Sequence, residues 1–309
     1  MFSTEYDFHY STVHSAVAHL RSIIYGSSLV RRHRDLKLVF LCGANKTKDL
    51  VSERRRALID FIKAHLPKHR VILAENLIED SENLLEIEHK ISKIADHVII
   101  VLESESAFCE LGAFANQNSI KSKITVINDK QFKGANSFIN KGPLKVVEES
   151  TSKRGVLWYE MTPGGAFSGD GIGHVFPQLR ARLVDKGHAY FERLQPEAID
   201  PSEKLTKDRL LFLHDLIYLA GPLTHKSLID LLKLIFGANK DYKNANLAIA
   251  LLKSIRVINY EGSPGDLSSC LKGTFLDFHN IEFDVKRDFA LARLRKEARG
   301  IYGNHKTAV

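Results

Sequence analysis

The chain has 309 residues, of which 44% are hydrophobic and 26% charged. This length exceeds one average domain, and the composition is that of a globular protein with enough apolar material for a core. No apolar run is long enough to cross a membrane, and the first residues lack the basic-then-apolar order of a signal peptide. Three scattered cysteines argue against a disulfide framework, so we expect a reducing, cytoplasmic setting.

The formal net charge of +7 is spread unevenly along the chain. Residues 201–309 hold 17 Lys and Arg against 12 Asp and Glu, which leaves only a small excess for the first 200 residues. A positive C-terminal part favours an acidic partner there, although many soluble domains carry such an excess without binding nucleic acid.

Strand-like and helix-like segments alternate over the first two thirds of the chain. Apolar runs typical of buried strands occupy Leu36–Leu41, Val71–Leu73, Val98–Leu102, Ile124–Ile127 and Val156–Tyr159. Helical spacing of apolar residues recurs in 11–30, Ser52–Leu66, Ser81–Ala95, Ala107–Gln117 and about Phe176–Leu194. This alternation predicts a flavodoxin-like parallel sheet, and we expect the helix at 11–30 to pack on this main domain or on another subunit. The basic link Arg31–Arg34 is expected to be a solvated turn, and the glycine-rich stretch Pro163–His174 a surface loop.

The chain changes character after the linker Gln195–Ser202. Three apolar helices are followed by a strand, a turn and a further apolar stretch, at Leu205–Leu219, Thr224–Phe236, Tyr242–Ile255, Val257–Tyr260, Gly262–Gly265 and Thr274–Phe278. Three helices and a hairpin predict a winged helix-turn-helix. We therefore expect an N-terminal helical extension (1–34), an α/β catalytic domain (35–195), a winged helix-turn-helix domain (201–299) and a tail (300–309).

Basic and amide side chains lie on the outward face of the third of these helices or just before it. Lys240, Lys243, Asn244 and Lys253 suit phosphates and base edges, which predicts a nucleic-acid surface. Winged helices also serve protein assembly, and we give that alternative equal weight.

Glu110 is the leading catalytic candidate because a buried strand and a short polar loop directly precede its helix. The buried strand Val98–Leu102 is followed by a short polar loop and a helix, which puts Glu110 in the first helical turn at the carboxyl end of the strand. Open α/β sheets bind ligands at that edge, and the positive end of the helix is expected to keep the carboxylate ionised. An ionised carboxylate in a crevice can act as a nucleophile. The alternative, of equal weight, is an ordinary first-turn acid on a solvated helix.

Other polar residues are expected at the same edge of the sheet, formed by the carboxyl ends of its strands, which we call the rim. They are Asn45, Glu103, Ser104, Glu105, Ser106, Asp129 and Asn140. Carboxylates that face a sugar carbon cut glycosidic bonds through an oxocarbenium-like transition state, and Ser and Asn side chains hold hydroxyls or phosphates. Cys42 and Gly43 open a loop that suits a sugar or phosphate. Cys109 is expected to be a small buried packing residue. No zinc-type spacing of His and Cys is present, so no metal site is predicted.

Ser106–Gly112 reads SAFCELG, close to the G-[TS]-x-x-E-L-G motif that carries the nucleophilic Glu of the nucleoside 2-deoxyribosyltransferase-like family. More narrowly, FLCGAN (Phe40–Asn45), FCELGAFAN (Phe108–Asn116) and KQFKGANSFINKGPLKV (Lys130–Val146) resemble the effector toxins of retron anti-phage systems. The chain departs from the transferase motif at Ser106 and Ala107, which replace the usual Gly and Thr or Ser. It also has Glu103 in the place of a sugar-orienting Asp.

This resemblance implies an N-glycosidase, with Glu110 as nucleophile and NAD+ as a substrate rather than a cofactor. It implies that Cys42, Gly43, Asn45, Ser104, Ser106 and Asn116 contact the substrate, and that Asn140 completes a neighbouring subunit's site. The implied partners are a retron reverse transcriptase and its multicopy single-stranded DNA, which hold the toxin inactive, and further copies of the chain in a homo-oligomer. No membrane is involved.

Our hypothesis from the sequence is therefore an N-glycosidase toxin that cleaves NAD+ or a related nucleotide. Nicotinamide leaves NAD+ as a neutral group, so its departure needs no strong general acid. A purine needs a general acid to protonate it as it leaves, and Glu103 and Glu105 are the nearby candidates. The alternatives are a nucleotide or DNA-base glycosidase, a deoxyribosyltransferase, and a DNA-binding regulator or scaffold whose α/β domain only senses a nucleotide.

Overall fold

The structure, a computed structural model, describes residues 5–26, 30–32, 34–47, 50–77, 83–162, 170–184, 193–261, 265–278 and 284–291. The chain forms two compact units, one of residues 36–189 and the other of residues 1–35 with 190–309. Most of the glycine-rich stretch (163–169) and the expected tail (300–309) lie outside the described residues. Within these ranges, no helix combines the length and apolar character that a membrane span requires.

The described elements are numbered in chain order. The helices are α1 (Glu5–Tyr25), α2 (Glu53–His65), α3 (Leu84–Ile94), α4 (Glu105–Ala115), α5 (Lys145–Ser150), α6 (Phe176–Leu183), α7 (Pro196–Ile199), α8 (Lys207–Ala220), α9 (His225–Phe236) and α10 (Asn244–Ser254), with a further helix over 284–291. The strands are β1 (Val30–Arg32), β2 (Lys37–Cys42), β3 (Asn45–Thr47), β4 (Leu50–Val51), β5 (His69–Ile72), β6 (His97–Val101), β7 (Ile124–Asp129), β8 (Val156–Tyr159), β9 (Arg193–Leu194), β10 (Ile258–Glu261), β11 (Asp266–Ser269) and β12 (Leu276–Asp277).

A five-stranded sheet organises the unit of residues 36–189. Its strands lie in the order β5-β2-β6-β7-β8, and every neighbouring pair is parallel. The prediction of a parallel sheet flanked by helices is confirmed. Numbered by their order along the chain, these strands follow the 2-1-3-4-5 arrangement of flavodoxin-like sheets, in which the strand order reverses between β2 and β6.

Both faces of the sheet are covered by helices. Val39 and Leu41 of β2 belong to a core that includes Leu58 of α2 and Leu179 of α6. Phe40 points to the opposite face, where its ring lies 6.1 Å from that of Phe114 in α4. Because side chains alternate along a strand, Cys42 shares the face of Phe40 and therefore points towards α4.

Several helix boundaries differ from the sequence-based expectations, and the N-terminal helix expected at 11–30 spans Glu5–Tyr25. Helix α4 begins at Glu105 because the side chain of Ser104 caps it, accepting a hydrogen bond from Ala107 N at 3.4 Å. Glu110 therefore lies in the second turn and not in the first. The helix expected at about Phe176–Leu194 ends at Leu183, and its last two residues form β9 instead.

The other unit contains α8, α9 and α10, followed by the β10–β11 hairpin in which Ile258 is paired with Ser269. Helix α1 packs on α9, where the Arg21 guanidinium donates hydrogen bonds to Leu234 O at 2.7 Å and Ile235 O at 2.8 Å. The expectation that the N-terminal helix packs on the main domain is therefore corrected, because this helix packs within the unit of residues 1–35 and 190–309, whereas packing on another subunit stays a prediction.

A small three-stranded sheet in the order β12-β1-β9 corrects two further expectations. The basic segment near Arg31 is not a solvated turn but a strand, and Arg32 forms an ion pair of 2.6 Å with Asp208 of α8. The apolar stretch Thr274–Phe278, expected to complete the wing hairpin, instead contributes β12, which pairs with β1.

Candidate active site

Glu110 lies beside the point where the strand order of the parallel sheet reverses. Helix α4 follows β6, one of the two strands that flank this reversal. Glu110 is one turn before Phe114 on the same face of α4, and Cys42 is two residues beyond Phe40 on the facing strand. The aromatic contact between Phe40 and Phe114 thus brings the Glu110 carboxyl and the Cys42 thiol together, and the two groups interact. Ligands of open α/β sheets bind at this position.

The Glu110 carboxyl is held in an environment that opposes its charge. Burial, followed by the nearby carboxylate of Glu88, raises the pKa of Glu110 to about 8, although Arg55 acts in the opposite direction. Its Oε2 atom is buried and has no hydrogen-bond partner among the described residues. The expectation that the helix keeps Glu110 ionised is therefore wrong for the free protein, because burial outweighs a helix terminus that is more than a turn away.

Two further acids, Glu75 and Glu88, complete a carboxylate cluster with Glu110. Burial, and then Glu75, raises the pKa of Glu88. The balancing charge is Arg55, whose buried guanidinium contacts Glu75 at 2.7 Å and donates hydrogen bonds to Leu41 O at 2.9 Å. Three carboxyl groups thus lie close to one buried guanidinium, which leaves an excess of acid that suits a cationic group.

Sequence reasoning did not identify Arg55, Glu75 or Glu88. They belong to α2, to the turn after β5 and to α3, respectively, so no local motif joins them to Glu110. The burial of both Arg54 and Arg55 on the first turn of α2 calls for anionic partners, but only the structure shows that burial.

Glu103 organises the loop after β2. Its Oε1 atom accepts hydrogen bonds from Ala44 N at 3.2 Å and Ser52 Oγ at 2.5 Å, and its Oε2 accepts one from Arg54 Nη1 at 3.1 Å. Gly43 fits here because its φ of +151° favours glycine and an added Cβ would come within 3.2 Å of Glu103 Oε1. Both Glu103 oxygens accept hydrogen bonds from this loop and from α2. Glu103 therefore positions the site, and it is not free to donate a proton to a leaving group.

Arg54 also connects this loop to the carboxyl end of β8. Its Nη2 atom donates to Asp170 Oδ1 at 2.8 Å, and the hydroxyl of Tyr159 donates to Asp170 Oδ2 at 2.8 Å. Burial by itself raises the pKa of Asp170, but the hydrogen bonds led by that from Arg54 lower it on balance. This network fixes α2, and with it Arg55, against the end of the sheet.

The remaining rim candidates are partly brought together. Asn45 Oδ1 accepts a hydrogen bond from Arg55 at 2.5 Å, which connects it to the carboxylate cluster. Ser104 and Ser106 lie at the start of α4 with their hydroxyl oxygens 3.1 Å apart. Asp129 ends β7, where its side chain accepts a hydrogen bond from Gln131 N at 3.1 Å.

Three other candidates lie away from Glu110 or differ from expectation. Asn116 follows the last turn of α4, about 9 Å of helix rise beyond Glu110, so the fold does not bring it to the rim. Asn140 donates hydrogen bonds to Phe132 O and Ala135 O, both at 2.8 Å, and so braces its own segment. Cys109 is exposed, and the expectation that it is a buried packing residue is wrong.

Cys42 remains a thiol in this environment. It is completely buried, and burial followed by the charge of Glu110 raises its pKa well above the ordinary value. A thiol that resists ionisation is a poor nucleophile, so Cys42 leaves Glu110 as the nucleophilic candidate at this point of the fold. Among the described residues, no group of three or more His, Cys, Asp or Glu side chains is arranged to hold a metal ion.

The unit of residues 1–35 and 190–309 is called the three-helix unit here, after α8, α9 and α10. Its candidate nucleic-acid-binding side chains differ in how free they are to bind a ligand. Lys240 is paired with Asp200, and Asn244 Nδ2 donates a hydrogen bond to Glu203 O at 2.9 Å. Lys253 lies over the ring of Tyr260, with its Nζ 4.5 Å from the ring centroid. Lys243 is 88% exposed and contacts only Asp241, at 3.0 Å, among the ion pairs of the described residues.

The sequence of the chain is similar to those of known proteins. Residues 51–260 match the family described as STM3845 retron effector protein. The chain belongs to the retron effector family. It is 38% identical over 265 residues to the Escherichia coli protein named "Retron Ec73 putative ribosyltransferase/DNA-binding protein", an alignment that covers 82% of this chain and 80% of that protein. A second relative, "Retron Ec86 putative ribosyltransferase/DNA-binding protein" of Escherichia coli, is 31% identical over 121 residues, which cover 37% of this chain and 38% of the relative.

Proposed function

We propose that this retron effector is an N-glycosidase toxin that cleaves the bond between nicotinamide and ribose in NAD+, with Glu110 as its nucleophile. The observation that carries the proposal is the buried carboxyl of Glu110 beside the strand-order reversal. Its Oε2 has no hydrogen-bond partner among the described residues, and it lies in a cluster with Glu75 and Glu88 that a single buried guanidinium opposes. The relatives' printed names support chemistry at a ribosyl group, and retron effectors act in anti-phage defence.

The reaction requires two displacements at the anomeric carbon. A Glu110 carboxylate oxygen forms a bond to C1′ of the ribose while the C1′–N bond breaks, and the electron pair of that bond neutralises the pyridinium nitrogen. Nicotinamide leaves without taking up a proton. Water then attacks C1′, its proton passes to solvent or to a neighbouring carboxylate, and the Glu110 carboxylate is regenerated.

The raised pKa of Glu110 favours a cationic leaving group. In the free protein Glu110 holds its proton up to about pH 8, but a pyridinium beside it stabilises the ionised form. Binding of NAD+ would thereby create the nucleophile that attacks it, and the acidic excess from Glu75 and Glu88 would attract the pyridinium. A neutral purine nucleoside offers no such compensation.

A second candidate substrate is a purine nucleotide, with the same nucleophile. The observation that favours it is Glu88, whose pKa is raised by burial and by Glu75. A raised pKa favours the protonated form, from which a carboxyl group could donate a proton to the departing base, a role for which the sequence suggested only Glu103 and Glu105.

We also propose that residues 35–195 are a deoxyribosyltransferase-like catalytic domain and that residues 201–299 form a winged helix-turn-helix that binds nucleic acid. The three helices and the β10–β11 hairpin support this, as does the name of the relatives. A retron reverse transcriptase and its single-stranded DNA would hold the toxin inactive in the cytoplasm, and Asn140 would act in a homo-oligomer.

The test is nicotinamide release by the purified full chain. We expect Glu110→Gln to lower release by at least about a thousandfold, because the amide cannot form the glycosyl intermediate. The matched control is Glu86→Gln, an exposed acid on helix α3 that is not part of the carboxylate cluster, which should retain activity. Equal activity of the two variants would exclude Glu110 as the nucleophile. Release of a purine base without nicotinamide would establish the second candidate.

A further inference from the structure

A basic groove follows the outer edge of the parallel sheet. It has a volume of about 760 Å³ and is lined by Lys133, Lys153, Arg154, Val156, Leu157, Trp158, Gln178, Ala181, Arg182 and Val184. Among the described strands, β8 has β7 as its single neighbour, so its other edge is open. We call this feature the β8 groove. It is built by β8 and α6 with the segments before them, and it contains no residue of the carboxylate cluster.

The charges of the β8 groove are all positive. Its described lining includes four cations and no carboxylate. Within the described part of the chain, no acid forms an ion pair with Lys133, Lys153 or Arg154, and all three are exposed. Arg182 is held in place by hydrogen bonds to Ser122 O at 2.8 Å and Thr125 Oγ1 at 3.2 Å. Burial, and then the charge of Arg154, lowers the pKa of Arg182, as expected where cations are crowded together without a counter-charge.

The turn before β8 presents two of these cations through an uncommon backbone conformation. Ser152 and Lys153 have φ values of 52° and 62°, in the left-handed region that residues other than glycine seldom adopt. A hydrogen bond from Lys153 N to Glu148 O at 2.7 Å maintains the turn. Backbone strain of this kind is found at binding sites, where the surrounding structure enforces it.

Trp158, the only tryptophan of the chain, lies among the cations. Leu157 and Tyr159 on either side of it face the core, so alternation along β8 puts Trp158 on the opposite face, where it is half-buried. Cations that follow a strand edge beside an aromatic ring are the elements by which proteins bind single-stranded nucleic acid, with phosphates paired to the cations and a base stacked on the ring.

We propose that the β8 groove binds a segment of single-stranded nucleic acid. Phosphates lie against Lys133, Lys153 and Arg154, and a base stacks on Trp158. An acidic peptide would satisfy the cations but would have no use for the indole face, which is why nucleic acid is the better match. This site is distinct from the basic residues of the three-helix unit and does not depend on Glu110 chemistry.

Because Trp158 is the only tryptophan, the intrinsic fluorescence of the full-length protein reports on the groove directly. We expect a twelve-residue oligothymidylate to quench this fluorescence in a saturable way. Three neutralised phosphates predict a slope of about −2 in the logarithm of the association constant against the logarithm of salt concentration. An unlabelled poly-glutamate peptide of equal charge should bind at least about tenfold more weakly.

The decisive variant is the double charge reversal Lys153→Glu with Arg154→Glu. It should weaken binding by at least about tenfold and reduce the salt slope by about 1.4. The matched control reverses two exposed lysines of the same unit, Lys63→Glu with Lys90→Glu, and should bind as the parent does. Trp158→Leu, assayed by anisotropy of a labelled oligonucleotide, should weaken binding by about tenfold through lost stacking.

Three results would overturn the proposal. The first is oligonucleotide binding that anisotropy detects while Trp158 fluorescence stays unchanged, since the nucleic acid would then lie elsewhere. The second is equal weakening by the groove and control double variants, which would mean that only net charge matters. The third is tighter binding of poly-glutamate than of oligothymidylate, which would assign the groove to an acidic protein.

Discussion

Each unit of the protein contains a buried cluster of polar side chains, and the two clusters differ in how completely they are hydrogen-bonded. In the unit of residues 36–189, Glu110 lies with two other acids near one guanidinium, and its Oε2 atom has no partner among the described residues. In the three-helix unit, His214 and Asp215 are completely buried, but every interaction they need is supplied. The first cluster has the character of a binding site. The second has that of a structural pin, by which we mean a hydrogen-bond network that only holds parts of the fold together.

The second cluster contains the residue types of a hydrolase triad. His214 Nδ1 lies 2.9 Å from Asp215 Oδ1, and His214 Nε2 lies 2.9 Å from Ser269 Oγ. The Ser269 hydroxyl, however, donates to Leu271 O at 2.9 Å, and no part of His214 reaches the surface. Asp215 accepts hydrogen bonds from two backbone N–H groups of the segment that leads into β12, so the network joins α8 to that segment and to β11.

The comparison shows that residue types alone do not identify a site. A fully bonded network stabilises one arrangement and leaves nothing for a ligand to bind, whereas an unpaired buried oxygen among like charges costs stability unless a ligand compensates it. The same chemical change, from a carboxyl to an amide, should therefore have different consequences in the two clusters.

The largest loss of stability is expected for Asp215→Asn. The amide nitrogen would face backbone N–H groups, of Phe275 at 2.8 Å or of Leu276 at 2.8 Å, that now donate to a carboxylate. We expect the free energy of unfolding at pH 7 to fall by about 3 kcal/mol, measured by urea denaturation of the full chain. A loss below about 1 kcal/mol would show that the network is not a structural pin.

Glu110→Gln should remove a pH dependence instead of destabilising the protein. In the unfolded chain Glu110 ionises near its ordinary pKa of 4.5, whereas the folded protein holds the proton to about pH 8. Its contribution to stability is thus fully present below pH 4.5 and is lost as the pH rises through 8. We expect Glu110→Gln to reduce the fall in unfolding free energy between pH 5 and pH 9 by about 4 kcal/mol. Identical pH profiles of variant and parent would contradict the raised pKa.

Glu88→Gln should make the candidate enzyme work at lower pH. Removing one neighbouring negative charge lowers the pKa of Glu110 below about 8, so more of the nucleophile is ionised near neutrality. We expect kcat for nicotinamide release at pH 6.5 to rise about threefold and its pH profile to shift to lower pH, whereas KM for NAD+ should rise because one acid that attracts the pyridinium is lost. Glu86→Gln, an exposed acid on the same helix, is the control. A shift to higher pH would refute the charge coupling.

The parallel sheet could be predicted from sequence because each strand is a continuous apolar run, such as Val98–Val101, bounded by polar residues. Glu110 could be predicted because its motif directly follows one of these runs. The rest of its cluster could not, since Arg55, Glu75 and Glu88 come from separate elements that only the packing of α2 and α3 on the sheet brings together.

The pairing of β1 with β12 was missed for a related reason. These strands have three and two residues and lie far apart in sequence, so neither carries an alternating pattern that would reveal its partner. The protonation of Glu110 was misjudged because the sequence shows the helix that follows β6 but not how deeply the carboxyl is buried. Burial is a property of tertiary packing, and it decided the pKa.

The smallest effect is expected for Ser269→Ala, and it separates the two clusters most cleanly. Losing the hydroxyl leaves His214 Nε2, Leu271 N and Leu271 O each without one hydrogen bond, so we expect a loss of about 1 kcal/mol in unfolding free energy. Nicotinamide release per folded molecule should not change, because the network has no exposed histidine and includes no residue of the carboxylate cluster. If activity were lost while the fold stayed intact, the buried Ser-His-Asp network would have to take part in the chemistry, and the distinction between a structural pin and a site would fail.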